Sequence, residues 1–315
     1  MRIDEGVMDG QERIGFGLRS LYQQRGYSRY RMSRFEEYDL YSRNKDFLLS
    51  GDVMTFTDTD GRLMALRPDV TLSIVRNGRD CGPDIQKLYY HENVYRATDP
   101  ENGFREQAQV GIECIGGIDG KCVSEVLELA AESLERISPE WMLEVGQTDL
   151  LSAALSRLAG GEALRKELLL CSGRKNLHGI REACRAAGLP EGAEEDLMGL
   201  MSLSGPPEKT LAGVREIAER LGCPEAAEDL ERALSAFRGR AAESRLWIDF
   251  SGAGNLKYYN GITFRGFLRG IPDSVLSGGQ YDGLMRRMGR KDRAVGFAVY
   301  LHRLERLTEG GKGDA

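Results

Sequence analysis

The sequence predicts an α+β fold in which helices flank an antiparallel sheet and a helical insertion interrupts the sheet-forming part of the chain. Two observations support this prediction. Strand-like runs occur in hairpins and do not alternate regularly with helices, as they would in a doubly wound fold. In addition, residues 150–243 are rich in Ala, Leu, Glu and Arg, are divided by Gly and Pro turns and carry no strand signal, which indicates four to six short helices.

The first part of the predicted core, residues 1–149, combines three helices with two hairpins and one further strand. Apolar residues at helical spacing predict a first helix over residues 11–25, which Gly26 ends, and an irregular stretch follows to about residue 51. The next elements are a strand over 54–58, a turn at 60–61 and a returning strand over 63–66. After them come a helix that opens at 68–71, hairpin strands over 87–96 and 107–115, an amphipathic helix over 123–137 and a strand over 143–145.

Strand character returns in the second part of the core, residues 244–308. Strands are predicted at 246–250, 258–267 and 275–276, and a strand that runs into a helix is predicted over 294–307. Residues 309–315 form a glycine-rich tail. The domain organisation predicted from these elements is a core in two parts, 1–149 and 244–308, with the insertion 150–243 between them.

Composition narrows the function classes. The chain has 315 residues and a formal net charge of −6, which argues against nucleic acid as a main partner, because phosphate neutralisation needs a basic surface. A local basic patch (Arg286, Arg287, Arg290, Lys291 and Arg293) remains open, although a solvated face explains it as well.

Neither a secretory signal nor a membrane-spanning run is evident, and we expect a cytoplasmic protein. The six cysteines lack metal-ligand spacing and only three histidines are present, so no metal or other cofactor is expected. The thiols are expected to be reduced.

Five segments, in this order along the chain, resemble the class II aminoacyl-tRNA synthetase core and, within that class, the histidyl-tRNA synthetases. The resemblance covers roughly residues 4–145 and 246–308. The segments are 66–71 (LRPDVT), the motif 2-like strand–loop–strand over 95–113, the histidine-specific segment 254–260 (GNLKYYN), 277–284 (SGGQYDGL) and the motif 3-like 296–304 (GFAVYLHRL).

Several positions depart from an active synthetase. Gly254 stands where the resemblance implies the arginine that neutralises the reacting phosphate, and Gln280 replaces another basic residue. Tyr300 stands where motif 3 has glycine, and its ring could fill space otherwise open to adenine. Arg96 and Arg303 remain at the motif 2 and motif 3 arginine positions. Because amino-acid activation builds negative charge that fixed cations must meet, this set is poorly equipped for adenylation.

Three further features bear on the comparison with the synthetases, and two of them include departures from the family pattern. Lys257 replaces an aspartate and has no pocket role that we can assign, whereas the adjacent Tyr258 and Tyr259 are retained. Ser33 replaces the proline of motif 1, which leaves the dimer interface open. The sequence ends soon after the motif 3-like segment, so we expect no anticodon-binding domain.

This combination resembles the family of regulatory subunits of ATP phosphoribosyltransferase. The resemblance implies a non-catalytic subunit that the short-form catalytic subunit requires for activity and that mediates feedback inhibition by histidine in histidine biosynthesis. The implied partners are that catalytic subunit, L-histidine as effector, and a second copy of the chain, as a homodimer within a hetero-oligomer. No membrane or nucleic-acid partner is implied.

The resemblance implies a histidine-binding site and no catalytic residues. A zwitterionic ligand with an imidazole needs an anion for its ammonium group, a cation for its carboxylate and an acceptor for its ring N–H. Asp69, Arg96 and Glu113 would supply one each, and Arg96 would hold the carboxylate with two parallel hydrogen bonds. The implied histidine-binding residues are Asp69, Thr71, Arg96, Gln109, Glu113, Tyr258 and Tyr259.

Other roles remain open for the polar members of this set. Asp69 or Thr71 could cap the helix that follows Pro68. Gln109 and Glu113 share one strand face, because residues i and i+4 of a strand point the same way, but that face could be solvated. Arg96 could pair with Glu92 or Asp99, and Arg105 is a weaker candidate for the site.

The aromatic and imidazole side chains also have alternatives. Tyr258 and Tyr259 are adjacent, so in a strand they would point to opposite faces, and only one, by resemblance Tyr259, would line the pocket fully. Tyr281 is placed equally well under the ligand or in the core. His91 and His302 are expected to be structural.

Two enzymatic alternatives compete with the regulatory subunit. One is a catalytic fragment of a histidyl-tRNA synthetase, and the other is a class II-like enzyme that forms an aminoacyl adenylate for a substrate other than tRNA. Both require ATP-dependent activation of an amino acid. A histidine-dependent pyrophosphate exchange assay therefore separates them from a sensor.

Overall fold

A computed structural model of the chain describes residues 7–48, 52–97, 103–254, 256, 258–305 and 307. Strands and helices both contribute to one α+β arrangement, as the sequence predicts. Residues in the nine-stranded sheet are β1 (Ser28–Arg29), β5 (Ile85–Ala97), β6 (Phe104–Gly116), β7 (Trp141–Gln147), β8 (Ser204–Gly205), β9 (Leu246–Asp249), β10 (Asn260–Leu268), β11 (Leu276–Gln280) and β12 (Arg293–Tyr300). Across this sheet the described strands follow the order β1-β5-β6-β12-β11-β10-β7-β9-β8.

A second, three-stranded sheet has the order β2-β4-β3 in the described residues. It consists of β2 (Phe35–Glu37), β3 (Thr55–Thr57) and β4 (Leu63–Leu66). β3 and β4 form the hairpin predicted around residues 60–61. The stretch that the sequence analysis left irregular therefore contains β1 and β2 as well as a short helix, elements of two to five residues that are too short to show a period.

The prediction of an antiparallel sheet is wrong for two strand pairs. β1 pairs with β5 in parallel, and β7 pairs with β9 in parallel, so the sheet is mixed. The second case follows from the insertion itself. Parallel neighbours need a long crossover connection, and the helices between β7 and β9 provide one. The other strand pairs in the described part of this sheet are antiparallel.

Helices pack against the large sheet and build the insertion. Those in the core are α1 (Gly10–Gln24), α2 (Tyr38–Ser42), α3 (Val70–Asn77), α4 (Gly120–Ile137) and α11 (Asp282–Arg287). Those that begin between residues 148 and 224 are α5 (Thr148–Arg157), α6 (Glu162–Gly173), α7 (Leu177–Ala186), α8 (Glu195–Ser202), α9 (Pro207–Leu221) and α10 (Pro224–Ser235). Among the described residues, no helix is both long enough and apolar enough to span a membrane.

One expectation about these helices needs correction. The insertion is not free of strand, because β8 lies inside it and Ser204 pairs with Asp249 of β9. Two residues give no alternation that a sequence pattern could reveal. The helix predicted after β12 begins as a 3₁₀ helix, Leu301–Leu304, and the described residues 305 and 307 are α-helical, as predicted.

The two faces of the large sheet belong to two apolar cores, and this division positions the functional site. On β5, Tyr89 packs into the core that contains α1 and α4, whereas Leu88 and Tyr90 pack into the other, with α3. The buried apolar residues of β6 alternate in the same way. By this alternation the side chains of Gln109 and Glu113 point to the second face of the sheet. Both are buried there, each 2% exposed.

Candidate functional site

One cavity opens on the second face of the sheet, between β6, β12, the start of α3 and the segment before β10. Its volume is about 50 Å³, measured as the space open to the centres of water-sized molecules. Seven lining residues are those that the sequence analysis assigned to histidine: Asp69, Thr71, Arg96, Gln109, Glu113, Tyr258 and Tyr259. The other lining residues are Val70, Tyr90, Ser277, Tyr281, Gly296, Phe297, Ala298 and Tyr300.

Glu113 lies at the floor of this cavity and accepts two hydrogen bonds. The Thr71 hydroxyl donates to Oε1 at 2.7 Å, and the Tyr281 hydroxyl donates to Oε2 at 2.5 Å. Burial raises the pKa of Glu113 to about 8, although both hydrogen bonds act in the opposite direction. The carboxyl group is therefore fixed in orientation and close to titration at neutral pH.

Glycines create the space that Glu113 occupies. Gly296 of β12 lies directly opposite Glu113 in the register, and a Cβ at position 296 would be 1.9 Å from Glu113 Oε2. A Cβ at Gly111 would be 2.4 Å from the Tyr90 hydroxyl. Any side chain at these two positions would therefore displace groups that line the cavity.

Asp69 has two roles in this geometry. It is the N-cap of α3, where its Oδ1 accepts a hydrogen bond from Leu72 N at 2.8 Å. Its Oδ2 lies 3.4 Å from Arg96 Nη2, and Arg96 Nε also donates to the Pro68 carbonyl at 2.6 Å. Burial raises the pKa of Asp69, and the charge of Arg96 opposes that rise. The capping role and the position in the cavity coexist.

The structure contradicts two of the alternative roles. Glu92 forms its ion pair with Arg67 instead of Arg96, and Asp99 lies outside the described residues. Gln109 and Glu113 are buried, so a solvated polar pair is excluded. The Nε2 atom of Gln109 is buried and has no hydrogen-bond partner. A buried amide donor without a partner is costly, and a ligand acceptor in the cavity would satisfy it.

Tyr258 and Tyr259 both line the cavity, and Tyr258 also belongs to the apolar core, the role that the sequence analysis expected for one of them. Both residues precede β10, which begins at Asn260, and alternation within a strand does not apply to them. Their rings pack edge to face with centroids 4.6 Å apart. Tyr281 has one of the two roles left open for it, since it belongs to the apolar core, and it also lines the cavity and donates to Glu113.

Tyr300 closes one side of the cavity. Its hydroxyl is 2.5 Å from Ser277 Oγ, and the guanidinium group of Arg303 lies over its ring, 4.5 Å from the centroid. Arg303 also donates to the Ser274 carbonyl. One of the two cations retained at synthetase-like positions is therefore stacked on a side chain of the protein itself.

Several other candidates lie elsewhere. Arg105 is exposed, and neither His91 nor His302 lines the cavity. Gly254 belongs to a 3₁₀ turn, and Lys257 lies outside the described residues. The sequence analysis missed Tyr90 and Ser277. Tyr90 could have been predicted, because alternation along β5 puts its side chain on the second face of the sheet. No such pattern marked Ser277.

The arrangement suits a small ligand that carries positive charge and a carboxylate. Two buried carboxyl groups face the cavity, and its one lining arginine already has Asp69 as a partner. Charge-assisted hydrogen bonds in such a buried site are stronger than neutral ones. An ammonium group near Asp69, a carboxylate near Arg96 and Gln109, and an imidazole near Glu113 would satisfy the polar groups of the cavity.

Comparison with known proteins gives a consistent grouping. The family model described as histidyl-tRNA synthetase matches residues 8–304. A protein of Thermoanaerobacter sp. (strain X514) named ATP phosphoribosyltransferase regulatory subunit is 31% identical over 293 residues, which are 91% of this chain and 75% of that protein.

Two solved structures share the fold. One is an ATP phosphoribosyltransferase regulatory subunit/histidyl-tRNA synthetase from Bacillus halodurans C, with a TM-score of 0.80 and 24% identity over 95% of this chain and 79% of that one. The other is a chain of the ATP phosphoribosyl transferase (HisG:HisZ) complex from Thermotoga maritima. It has a TM-score of 0.69 and 20% identity over 93% of this chain and 97% of that one.

Proposed function

The chain belongs to the histidyl-tRNA synthetase family and, within it, to the regulatory subunits of ATP phosphoribosyltransferase, and on that premise we propose that it is a histidine sensor without catalytic activity of its own. In this proposal it assembles with the short-form catalytic subunit, is required for that subunit's activity and conveys feedback inhibition by histidine. A homodimer within the hetero-oligomer is part of the proposal. The HisG:HisZ complex among the similar structures supports the choice of partner.

The observation that supports histidine as the ligand is the pairing of polar groups in the cavity. Glu113 is oriented by Thr71 and Tyr281 so that its carboxyl group faces the cavity. An imidazole N–H can donate to it. At the other end Asp69 and Arg96 offer one charge of each sign for the ammonium and carboxylate groups, and the unpaired amide of Gln109 adds a donor for the carboxylate.

Calorimetry of histidine binding tests this proposal. We expect the wild type to bind histidine and to prefer it to glutamine. Glu113→Ala removes the acceptor for the ring N–H, which should weaken binding by about 1–3 kcal/mol, or about fivefold to more than a hundredfold. Equal affinity in wild type and Glu113→Ala would show that the ligand does not use this carboxylate.

Adenylation of an amino acid is the second candidate, because Arg96 and Arg303 stand at the synthetase-like positions. Tyr300 speaks against it, since its ring occupies one side of the cavity and stacks under Arg303.

We expect no histidine-dependent exchange of labelled pyrophosphate into ATP above background. An active histidyl-tRNA synthetase assayed in parallel serves as the positive control. Exchange at an ordinary enzymatic rate would reject the sensor in favour of an adenylating enzyme.

A further inference from the structure

A single carboxylate at the end of β9 connects the segment that carries the cavity tyrosines to the helical insertion. Asp249 Oδ1 accepts hydrogen bonds from the amide of Ser251, at 2.8 Å, and from the Ser251 hydroxyl. Asp249 Oδ2 accepts from Ser204 Oγ at 2.9 Å and from Lys175 Nζ. Four donors therefore converge on one side chain, two on each oxygen.

The two oxygens serve different parts of the chain. Ser251 opens the 3₁₀ turn that follows β9, and seven and eight residues later the same segment places Tyr258 and Tyr259 in the cavity. Lys175 lies in the turn between α6 and α7, and Ser204 lies in β8, so both belong to the insertion. The Asp249 carboxylate is thus shared between the cavity segment and the insertion.

The backbone at Lys175 has the left-handed conformation of a helix C-terminal cap, which fixes the position of this residue. Among the non-glycine residues that the structure describes, Lys175 is the one with a positive φ, 51°. Side chains other than glycine adopt this conformation at an energetic cost, and surrounding contacts must hold it. Here backbone hydrogen bonds at the end of α6 hold it, from Lys175 N to the Ser172 carbonyl at 3.0 Å and from Asn176 N to the Cys171 carbonyl at 2.9 Å. The turn in this way presents the Lys175 side chain to Asp249, whose side chain is 4% exposed, and to Ser204.

A second contact fixes the same 3₁₀ turn from the sheet. Arg265 of β10 pairs with Glu144 of β7. A Cβ at Gly252 would be 2.7 Å from Arg265 Nε, so the guanidinium group lies directly against the turn. Helix α6 also contacts the turn. The 3₁₀ turn after β9 is therefore held between the ion pair of Arg265 with Glu144 on one side and the insertion on the other.

We propose that the Asp249 carboxylate links occupancy of the histidine cavity to the position of the insertion, with Lys175 and Ser204 as positioning residues. The inference rests on the proposed histidine site. A ligand that packs against Tyr258 and Tyr259 restrains the segment after β9 at its cavity end, and Ser251 stands at the start of that segment. Because Asp249 bonds this segment and the insertion at once, the α6–α7 turn and β8 respond with it.

Hydrogen exchange measured by mass spectrometry, with and without saturating histidine, tests the link on the full chain. In the wild type we expect histidine to slow amide exchange in residues 172–177 and 203–205 by at least about threefold. Lys175→Met keeps the aliphatic chain and removes the ammonium group. It should abolish this slowing and lower histidine affinity by about fivefold, the low end of common coupling strengths.

Two variants control for charge and for folding. Lys175→Arg retains a cation and should restore most of the response. Lys166→Met removes an exposed lysine of α6 that pairs with Glu162, and it should behave as wild type. If Lys175→Met does not fold by circular dichroism, Ser204→Ala removes an uncharged donor to the same oxygen and should reduce the response.

The possible outcomes distinguish failure of the proposed Asp249 link from failure of the proposed histidine-sensor function. A wild type that binds histidine without slower exchange in the insertion refutes the link and leaves the sensor intact. The same holds if Lys175→Met keeps the full response. A wild type that binds no histidine refutes the sensor, and the link falls with it.

Discussion

Glu113 has a buried carboxyl group whose protonation depends on the fold. Its usual pKa of 4.5 rises to about 8, first because of burial and further because of the charge of Asp69, against the hydrogen bonds from Tyr281 and Thr71. A raised acid pKa means that the folded state holds a proton that the unfolded state has already released. The cavity therefore contributes a pH dependence to stability even without a ligand.

The sign of this effect gives a prediction for Glu113→Gln. Below about pH 4.5 both states carry the proton, and between 4.5 and 8 only the folded state does, so this carboxyl group makes the protein less stable as the pH rises through that window. The slope is at most about 1.4 kcal/mol per pH unit.

Glutamine has nearly the same shape and does not titrate, so the variant should lose this part of the slope. Urea unfolding at pH 5.5 and 8.5 should show Glu113→Gln gaining stability relative to the wild type at the higher pH. A constant difference between the two proteins at both pH values would contradict a raised pKa in the folded state.

At the scale of residues, the sequence predicted which side chains come together at the cavity but not all of the contacts between them. The i, i+4 spacing placed Gln109 and Glu113 on one face, and the register confirmed that geometry. The pairing of Arg96 with Asp69 depends on how the start of α3 approaches β5, which no local pattern encodes. Tyr258 and Tyr259 were assigned to a strand, and that strand begins at Asn260, two residues after the predicted start.

Among the elements, the contact between β6 and β12 determines whether the cavity exists. Gly296→Ala would place a methyl group 1.9 Å from Glu113 Oε2 and 2.4 Å from the Ile112 carbonyl. Since one of these neighbours is backbone, the clash cannot be relieved by rotating a side chain. We expect a loss of stability of about 1–3 kcal/mol and no measurable histidine binding by calorimetry.

Gly17→Ala is a matched control for this substitution. No atom lies within 4 Å of a Cβ at position 17, which is inside α1, and its φ is not positive. The change should raise stability by about 0.5–1 kcal/mol, because glycine loses more chain entropy in a helix, and should leave histidine binding unchanged. Normal binding by Gly296→Ala would show that the ligand does not depend on the position of Glu113.

Helices and strands were predicted correctly where their apolar spacing repeats over many residues. α1, α4 and the long hairpin of β5 and β6 were predicted from apolar spacing and appear close to the predicted bounds. β1 and β8 have two residues each and form because a neighbouring strand offers free hydrogen-bonding groups. Their existence, and the parallel pairings, depend on contacts between parts of the chain that are distant in sequence.

For the whole molecule, the cavity and the insertion together suit a subunit that senses a ligand in one place and acts on a partner in another. The family and the fold are established by similarity over most of the chain, whereas the ligand and its effect on a catalytic subunit are our proposals. Coupling between two sites requires contacts that differ between the free and bound states. The four hydrogen bonds at Asp249 connect the 3₁₀ turn after β9 with the insertion, and in the proposed link they are one such set.

Reconstitution with a short-form ATP phosphoribosyltransferase catalytic subunit tests the molecule as a whole. We expect the wild type and Glu113→Ala to co-elute with that subunit on size-exclusion chromatography and to raise its activity equally, because Glu113 is buried in the cavity and cannot touch a partner. Histidine should inhibit the wild-type complex, and Glu113→Ala should raise the inhibitory concentration about fivefold to more than a hundredfold, matching its loss of affinity. Inhibition of both complexes at the same histidine concentration would place the inhibitory site outside this cavity, whereas failure of both proteins to associate with the catalytic subunit would contradict the proposed partner.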